Sequence, residues 1–96
     1  MLDGRRLGMT PEQLRFVCEV FNLSAKDLAK AMNVAPNTVH RWEKGDNPPT
    51  GLQEEVLRAL HNVALKVKDD ERERAIVGGL IALGVGALIF YLLTNK

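Results

Sequence analysis

Few residues of this chain have side chains that could carry out chemistry, and those few do not form a reactive set. Cys18 is the single cysteine, and His40 and His61 are the only histidines, 21 positions apart in a chain of 96 residues. A structural zinc site uses four cysteine or histidine ligands, and a nucleophilic cysteine needs a neighbour that lowers its pKa. Cys18 lies at helical spacing from Leu14 and Phe21, next to Val17, and is expected to be a small buried thiol. The sequence predicts no metal site, no cofactor and no enzyme activity.

The run from 75 to 93, AIVGGLIALGVGALIFYLL, contains no charged side chain. At about 1.5 Å of helical rise per residue it would extend roughly 28 Å, close to the hydrocarbon thickness of a bilayer. A chain of 96 residues has too little other surface to cover such a helix on all sides. The sequence therefore predicts a C-terminal transmembrane helix at 75–93, followed by a short tail at 94–96.

The charges beside this run predict its orientation. Lys66, Lys68, Arg72 and Arg74 precede it, and only Lys96 follows it. Positively charged residues stay on the cytoplasmic side of a membrane, so the N-terminal part should face the cytoplasm. With so short a tail, the segment would insert after synthesis, as in tail-anchored proteins.

Small residues recur along one face of the predicted membrane helix. Gly78, Ala82 and Gly86 are four residues apart, and Gly79 lies beside them. Small residues at this spacing allow membrane helices to approach closely. The pattern, a glycine zipper, predicts self-association and a homo-oligomer.

Helix-start signals divide the rest of the chain into four predicted helices. These signals are Thr10-Pro11-Glu12-Gln13, Ser24 with Asp27, Pro36 after Ala35, and Thr50 with Gln53. The fourth helix has an apolar stripe of Leu52, Val56, Leu57, Leu60, Val63, Ala64 and Val67. No strand pattern is present, so the fold class is all-α.

The expected organisation is a flexible lead-in at 1–9, a four-helix head at 10–66, a charged stalk at 67–74 and the membrane helix. The stalk contains no glycine or proline. One continuous helix from about 51 to 93 is therefore predicted, with a break near Asp69 and Asp70 as the alternative.

The stretch LSAKDLAKAMNVAPNTVHRWEKGDNPPT resembles the Cro/repressor-type, or XRE, family of helix-turn-helix domains. The resemblance covers about residues 10–66. Its motifs are Leu28-Ala29 in the second helix, the Asn33-Val34 turn, and a third helix that ends in Arg41-Trp42-Glu43-Lys44-Gly45. It implies that the third helix lies in the major groove of DNA.

Carried over position by position, the resemblance implies which residues contact DNA. Asn37, His40 and Arg41 would face the bases, with Pro36 at the leading edge of the helix. The residues expected to hold phosphates are Lys26, Thr38 and Lys44.

Three positions depart from the family pattern and predict weak binding by a single head. Ala25 stands where relatives commonly have a DNA-contacting glutamine, Ala35 replaces a serine cap, and Pro36 has no hydrogen-bond donor. The formal net charge of the chain is only +1. Because affinity rises with the number of phosphates neutralised, dimerisation or clustering would have to supply the remaining affinity for DNA.

The sequence as a whole predicts a bacterial or phage DNA-binding protein anchored in the inner (cytoplasmic) membrane, acting as a regulator or a DNA tether. The alternative is a membrane scaffold whose head binds a cytoplasmic protein partner. Such chains resemble rod-shape morphogenesis proteins, which also have a large periplasmic domain that is not expected here. A third possibility is a small oligomeric membrane component of a phage or secretion assembly.

Overall fold

A computed structural model describes residues 9–94, except for the side chains of 85, 88, 89, 92 and 93. This part of the chain forms six helices and no strand, which confirms the all-α class. The helices are α1 (Pro11–Phe21), α2 (Ala25–Met32), α3 (Pro36–Lys44), α4 (Gly51–Val67), α5 (Glu71–Leu83) and α6 (Val85–Thr94). Residues 1–8 of the predicted lead-in and the last two residues of the predicted tail lie outside the described residues.

The first two helices begin at the predicted capping boxes. The Thr10 hydroxyl accepts the Gln13 N–H at 3.1 Å, and the Gln13 side chain accepts the Thr10 N–H at 3.0 Å. Ser24 and Asp27 form the same reciprocal pair at 3.0 and 3.1 Å. Each box satisfies two backbone N–H groups that would otherwise have no partner at a helix start.

The first three helices end at left-handed residues. Asn22, Asn33 and Gly45 have φ values of 56°, 60° and 83°. Asparagine and glycine tolerate this conformation better than other residues, which is why they stop helices. The predicted helix ends at Asn33 and Gly45 are confirmed.

Two predictions for the start of α4 are wrong. Thr50 makes no side-chain capping bond, and the next residue, Gly51, has a φ of +61°. The left-handed conformation of Gly51 therefore forms the turn into α4, in place of the predicted capping box. Leu52, assigned to the apolar stripe, is 65% exposed because it lies in this first turn.

Buried apolar side chains from the first five helices, together with Met9 before α1, form one core. Its members are Met9, Leu14, Val17, Phe21, Leu28, Ala29, Ala31, Met32, Val39, Trp42, Val56, Leu57, Leu60, Ala64, Val67, Val77 and Ile81. Cys18 and Val63 are partly buried against it.

The predicted continuous helix from 51 to 93 is also wrong, and the alternative break near Asp69 and Asp70 is what the structure shows. The α4 helix ends at Val67, and the Asp70 N–H donates to the Val67 carbonyl at 2.8 Å. The Asp70 carboxylate then accepts the Glu73 N–H at 3.1 Å and caps α5. Acidic stalk residues therefore start a new helix, since a capping aspartate stabilises a helix N-terminus.

The predicted transmembrane helix at 75–93 is not a single helix. It is divided between α5 and α6, which meet at Gly84 with φ 115° and ψ 174°. Within residues 9–94, no helix combines the length and the apolar character needed to cross a bilayer.

The α5 helix instead packs on the head, against α1, α2 and α4. Val77 and Ile81, two residues of the predicted membrane helix, are only 0% and 1% exposed. The α6 helix contacts α5 and α4, and Tyr91 packs against the core. We call these two helices the α5–α6 pair.

Candidate nucleic-acid interface

The α3 helix is held in place by its apolar side. Val39 is fully buried and Trp42 is 4% exposed, and α3 packs against α1 and α2. Ala29 is buried in the α2 helix that packs on α3, where a small side chain allows close approach. The Val34 N–H donates to the Ala29 carbonyl at 2.9 Å and closes the turn between the two helices. The opposite side of α3 is therefore presented in a fixed orientation.

The predicted base-facing residues lie together on that outer side. Pro36, Asn37, His40 and Arg41 are all exposed. Because positions three and four apart share one face of a helix, Asn37, His40 and Arg41 form a single polar surface. We call these three residues the recognition face.

Glu43 is a neighbour of the recognition face that the sequence analysis did not assign to it. Its carboxylate lies 3.4 Å from His40 Nδ1. Its backbone carbonyl accepts a hydrogen bond from the Arg15 guanidinium of α1 at 3.4 Å. The spacing of His40 and Glu43, three residues apart in a helix, was a signal that could have identified the contact.

Phosphate-binding candidates lie on α2 and α3. Lys26 and Lys44 are exposed, and Thr38 is half-buried. Lys30, which the sequence analysis did not select, is exposed one turn after Lys26 and extends the same basic strip. Lysines four apart on a helix share a face, and that spacing could have identified Lys30.

The start of α2 carries a hydrogen-bonded carboxylate, Asp27. Hydrogen bonds from the Ser24 backbone and side chain hold the pKa of the Asp27 carboxyl below its ordinary value, and Lys26 and Lys30 act in the same direction. This carboxylate reduces the positive potential beside the two lysines.

The start of α3 has no side-chain cap. Ala35 has no group that could accept a backbone N–H, and Pro36 has no N–H of its own. The Thr38 N–H donates to the Ala35 carbonyl at 2.9 Å. Among the first three residues of α3, Asn37 is therefore the one whose backbone N–H takes part in none of these bonds. The same residue also has an amide side chain.

The residues considered for reactive or metal chemistry are not brought together. Burial raises the pKa of the Cys18 thiol to about 11, with a further contribution from the carboxylates of Glu43 and Glu19. His61 packs edge-on against Phe16, with ring centroids 5.5 Å apart. No cluster of three potential metal ligands is found within the described part of the chain.

The residues predicted to mediate self-association have different surroundings. Gly78 lies against the head, where an added Cβ would be 3.7 Å from the Phe21 carbonyl oxygen. At Gly79 and Gly86 an added Cβ would meet nothing within 4 Å, and Ala82 is exposed. Their role in association stays a prediction.

Comparison with known proteins gives one match. No curated protein and no solved structure matches this chain. A family model described as helix-turn-helix (HTH_3) matches residues 21–60. That range spans α2, α3 and the first part of α4, so the match supports the predicted helix-turn-helix at residues 21–60.

Proposed function

We propose that this chain is a DNA-binding regulator or DNA tether whose α3 helix enters the major groove. One observation carries the proposal. The recognition face is exposed on a helix that buried Val39 and Trp42 hold in place, and α3 lies inside the segment that matches the helix-turn-helix model. In such domains the second helix of the motif reads base edges.

The recognition face has the chemistry needed to read bases. The Asn37 amide can donate to and accept from the edge of adenine, and the Arg41 guanidinium can donate twice to guanine. His40 lies on the same face of α3, beside Glu43, and Pro36 forms the leading edge of the helix. We assign base contacts to these positions.

Phosphate contacts are assigned to the residues around this face. Lys26, Lys44 and Thr38 would position the domain on the backbone, with the N–H groups at the start of α2. The two lysines would each neutralise one phosphate, which would lower affinity roughly 12-fold between about 50 and 200 mM salt. A single head would therefore bind weakly, and we propose that two or more heads act together.

The test uses the full chain and a pool of random duplexes. Selection should enrich a preferred site, and Arg41→Ala should weaken binding to that site by about 5- to 150-fold and relax the preference at one base pair. Lys44→Ala should instead weaken binding to all duplexes and reduce the salt slope by about one. Lys66→Ala, a substitution of an exposed lysine near the end of α4, is the matched control and should leave both properties unchanged.

The outcomes separate DNA binding from protein binding. If no sequence is enriched and binding does not depend on salt, α3 has no role in DNA recognition. The rival function, a head that docks on a cytoplasmic protein partner, would then be favoured. The specific observation behind that rival is the loss of contact groups at Ala25, Ala35 and Pro36. A partner that stays with the chain after nuclease treatment would support it.

Attachment to the bacterial inner membrane, with the head in the cytoplasm, is the second part of the proposal. Its support is the uncharged run at 75–93 and the basic residues that precede it. The division of this run between α5 and α6 weighs against a permanently inserted helix. Flotation of the full chain with lipid vesicles tests the attachment.

A further inference from the structure

We propose that the α5–α6 pair opens at Gly84 into one helix that inserts into a lipid bilayer. The head-packed pair and the inserted helix would then be two states of the same segment. This inference rests on the proposed membrane attachment and adds the switch that controls it.

The backbone of Gly84 is the first observation. Its φ of 115° and ψ of 174° lie in a region that is essentially restricted to glycine, so any L-residue here is strained. An added Cβ would meet nothing within 4 Å. The glycine is therefore required by the conformation of the break and not by close packing. Rotation of this one residue into the helical region would join the two helices.

Apolar side chains left exposed by the packed pair are the second observation. Ile76, Leu83 and Phe90 are 47%, 75% and 69% exposed. All three belong to the uncharged run at 75–93. Covering these side chains would remove apolar surface from water, which is favourable. Because these residues lie on both sides of Gly84, a partner that surrounds the whole segment covers them all.

The length of the joined segment identifies the bilayer as that partner. The α5 and α6 helices have 13 and 10 residues, too short to span separately. Joined, the run at 75–93 extends roughly 28 Å without a charge, which matches the hydrocarbon thickness. The charged residues Glu71, Arg72, Glu73 and Arg74 precede the run and would remain at the headgroups.

Contacts with the head oppose opening and make it conditional. Val77 and Ile81 are buried against the head, so opening exposes them and the surface around Phe21 until lipid covers the helix. The pair packs on α1, α2 and α4, and the recognition face is exposed while it is packed. Opening is therefore not needed to expose the recognition face to DNA.

Alanine at Gly84 is the variant that tests the switch. Gly84→Ala strains the packed state and favours a continuous helix, whereas Gly79→Ala adds the same methyl group within the regular part of α5. The partition coefficient of the full chain is measured by flotation with vesicles of phosphatidylethanolamine containing a minority of phosphatidylglycerol. Gly84→Ala should exceed Gly79→Ala by about 5- to 150-fold, the ratio expected for one residue of this backbone strain.

A variant with D-alanine in place of Gly84, made by chemical synthesis, supplies the opposite perturbation. It has the same atoms as Gly84→Ala but favours positive φ and disfavours a right-handed helix. Its partition coefficient should fall below that of the unmodified chain. Proteinase K added to floated vesicles should leave a protected fragment containing residues 75–93, since an inserted helix is shielded from the protease.

The outcomes distinguish the switch from membrane attachment itself. If both alanine variants bind vesicles equally and the D-alanine variant is unchanged, attachment stands and the switch is wrong. If no form floats, attachment and switch are both wrong. Flotation without a protected fragment would mean surface adsorption, and a lipid-independent dimer that does not float would assign the exposed surface to a second copy. Either result overturns the inference.

Discussion

Ile81→Ala should destabilise the folded chain far more than Leu83→Ala. Both substitutions shorten a large aliphatic side chain on α5, two positions apart. Ile81 is 1% exposed and belongs to the core, whereas Leu83 is 75% exposed. The pair of variants therefore tests whether α5 is part of the folded head, independently of any lipid.

The expected loss can be worked out from the surroundings of Ile81. Replacing a buried isoleucine with alanine costs about 2–5 kcal/mol, and the cost depends on how well the site can relax. Ile81 already borders a cavity of about 270 Å³ that Phe21, Leu23 and Gly78 also line. Because side chains that line a cavity can relax into the vacated space, we expect the lower part of the range, about 2–3 kcal/mol. Leu83→Ala should stay within about 0.5 kcal/mol of the parent chain.

Urea unfolding followed by far-ultraviolet circular dichroism measures both values. The midpoint should fall for Ile81→Ala with little change in the slope, because the folded state remains compact. Its thermal midpoint should fall by about 8–24 °C. Equal stability losses for the two variants would refute the packing of α5 on the head.

Two further predictions concern titratable groups. The pKa of Asp27 is lowered in the folded state, so its stabilising effect is present above the unfolded pKa of about 4 and is lost as the pH falls through the folded value. The urea midpoint of the parent chain should therefore fall more steeply on acidification than that of Asp27→Asn, and parallel profiles would contradict this. The Cys18 thiol, with its pKa raised to about 11, should be alkylated at about pH 8 roughly a hundred-fold more slowly than in urea. Equal rates would show that the thiol is not buried as described.

The helix boundaries of the head could be predicted because they depend on neighbouring residues. The capping boxes at Thr10 and Ser24 act over three positions, and their reciprocal hydrogen bonds form as expected. Gly45 ends α3 for an equally local reason, its φ of 83°. Thr50 shows the limit of this reasoning. A capping box with Gln53 was predicted there, but the left-handed conformation of Gly51 forms the turn into α4 instead.

The C-terminal segment could not be predicted from its own composition. An uncharged run is equally suited to lipid and to the apolar surface of a protein. The surface that receives it is assembled from distant parts of the chain, including Phe21 and Val67. Among the glycines of the run, only Gly84 has a positive φ in the described residues, and nothing in the local sequence separates it from Gly78 or Gly79.

The exposed positions of Asn37, His40 and Arg41 on α3 could be predicted from the sequence, but the balance of charges around them could not. Lys30 adds a positive charge beside Lys26, while Glu43 places a carboxylate 3.4 Å from His40. The net positive charge available to phosphates therefore stays small, in agreement with the +1 charge of the chain. Under the proposed function, specificity would come from Asn37 and Arg41, and affinity from bringing several heads to one DNA molecule. Confinement to a membrane raises the local concentration of heads without any new contact, which is the condition that weak individual binding requires.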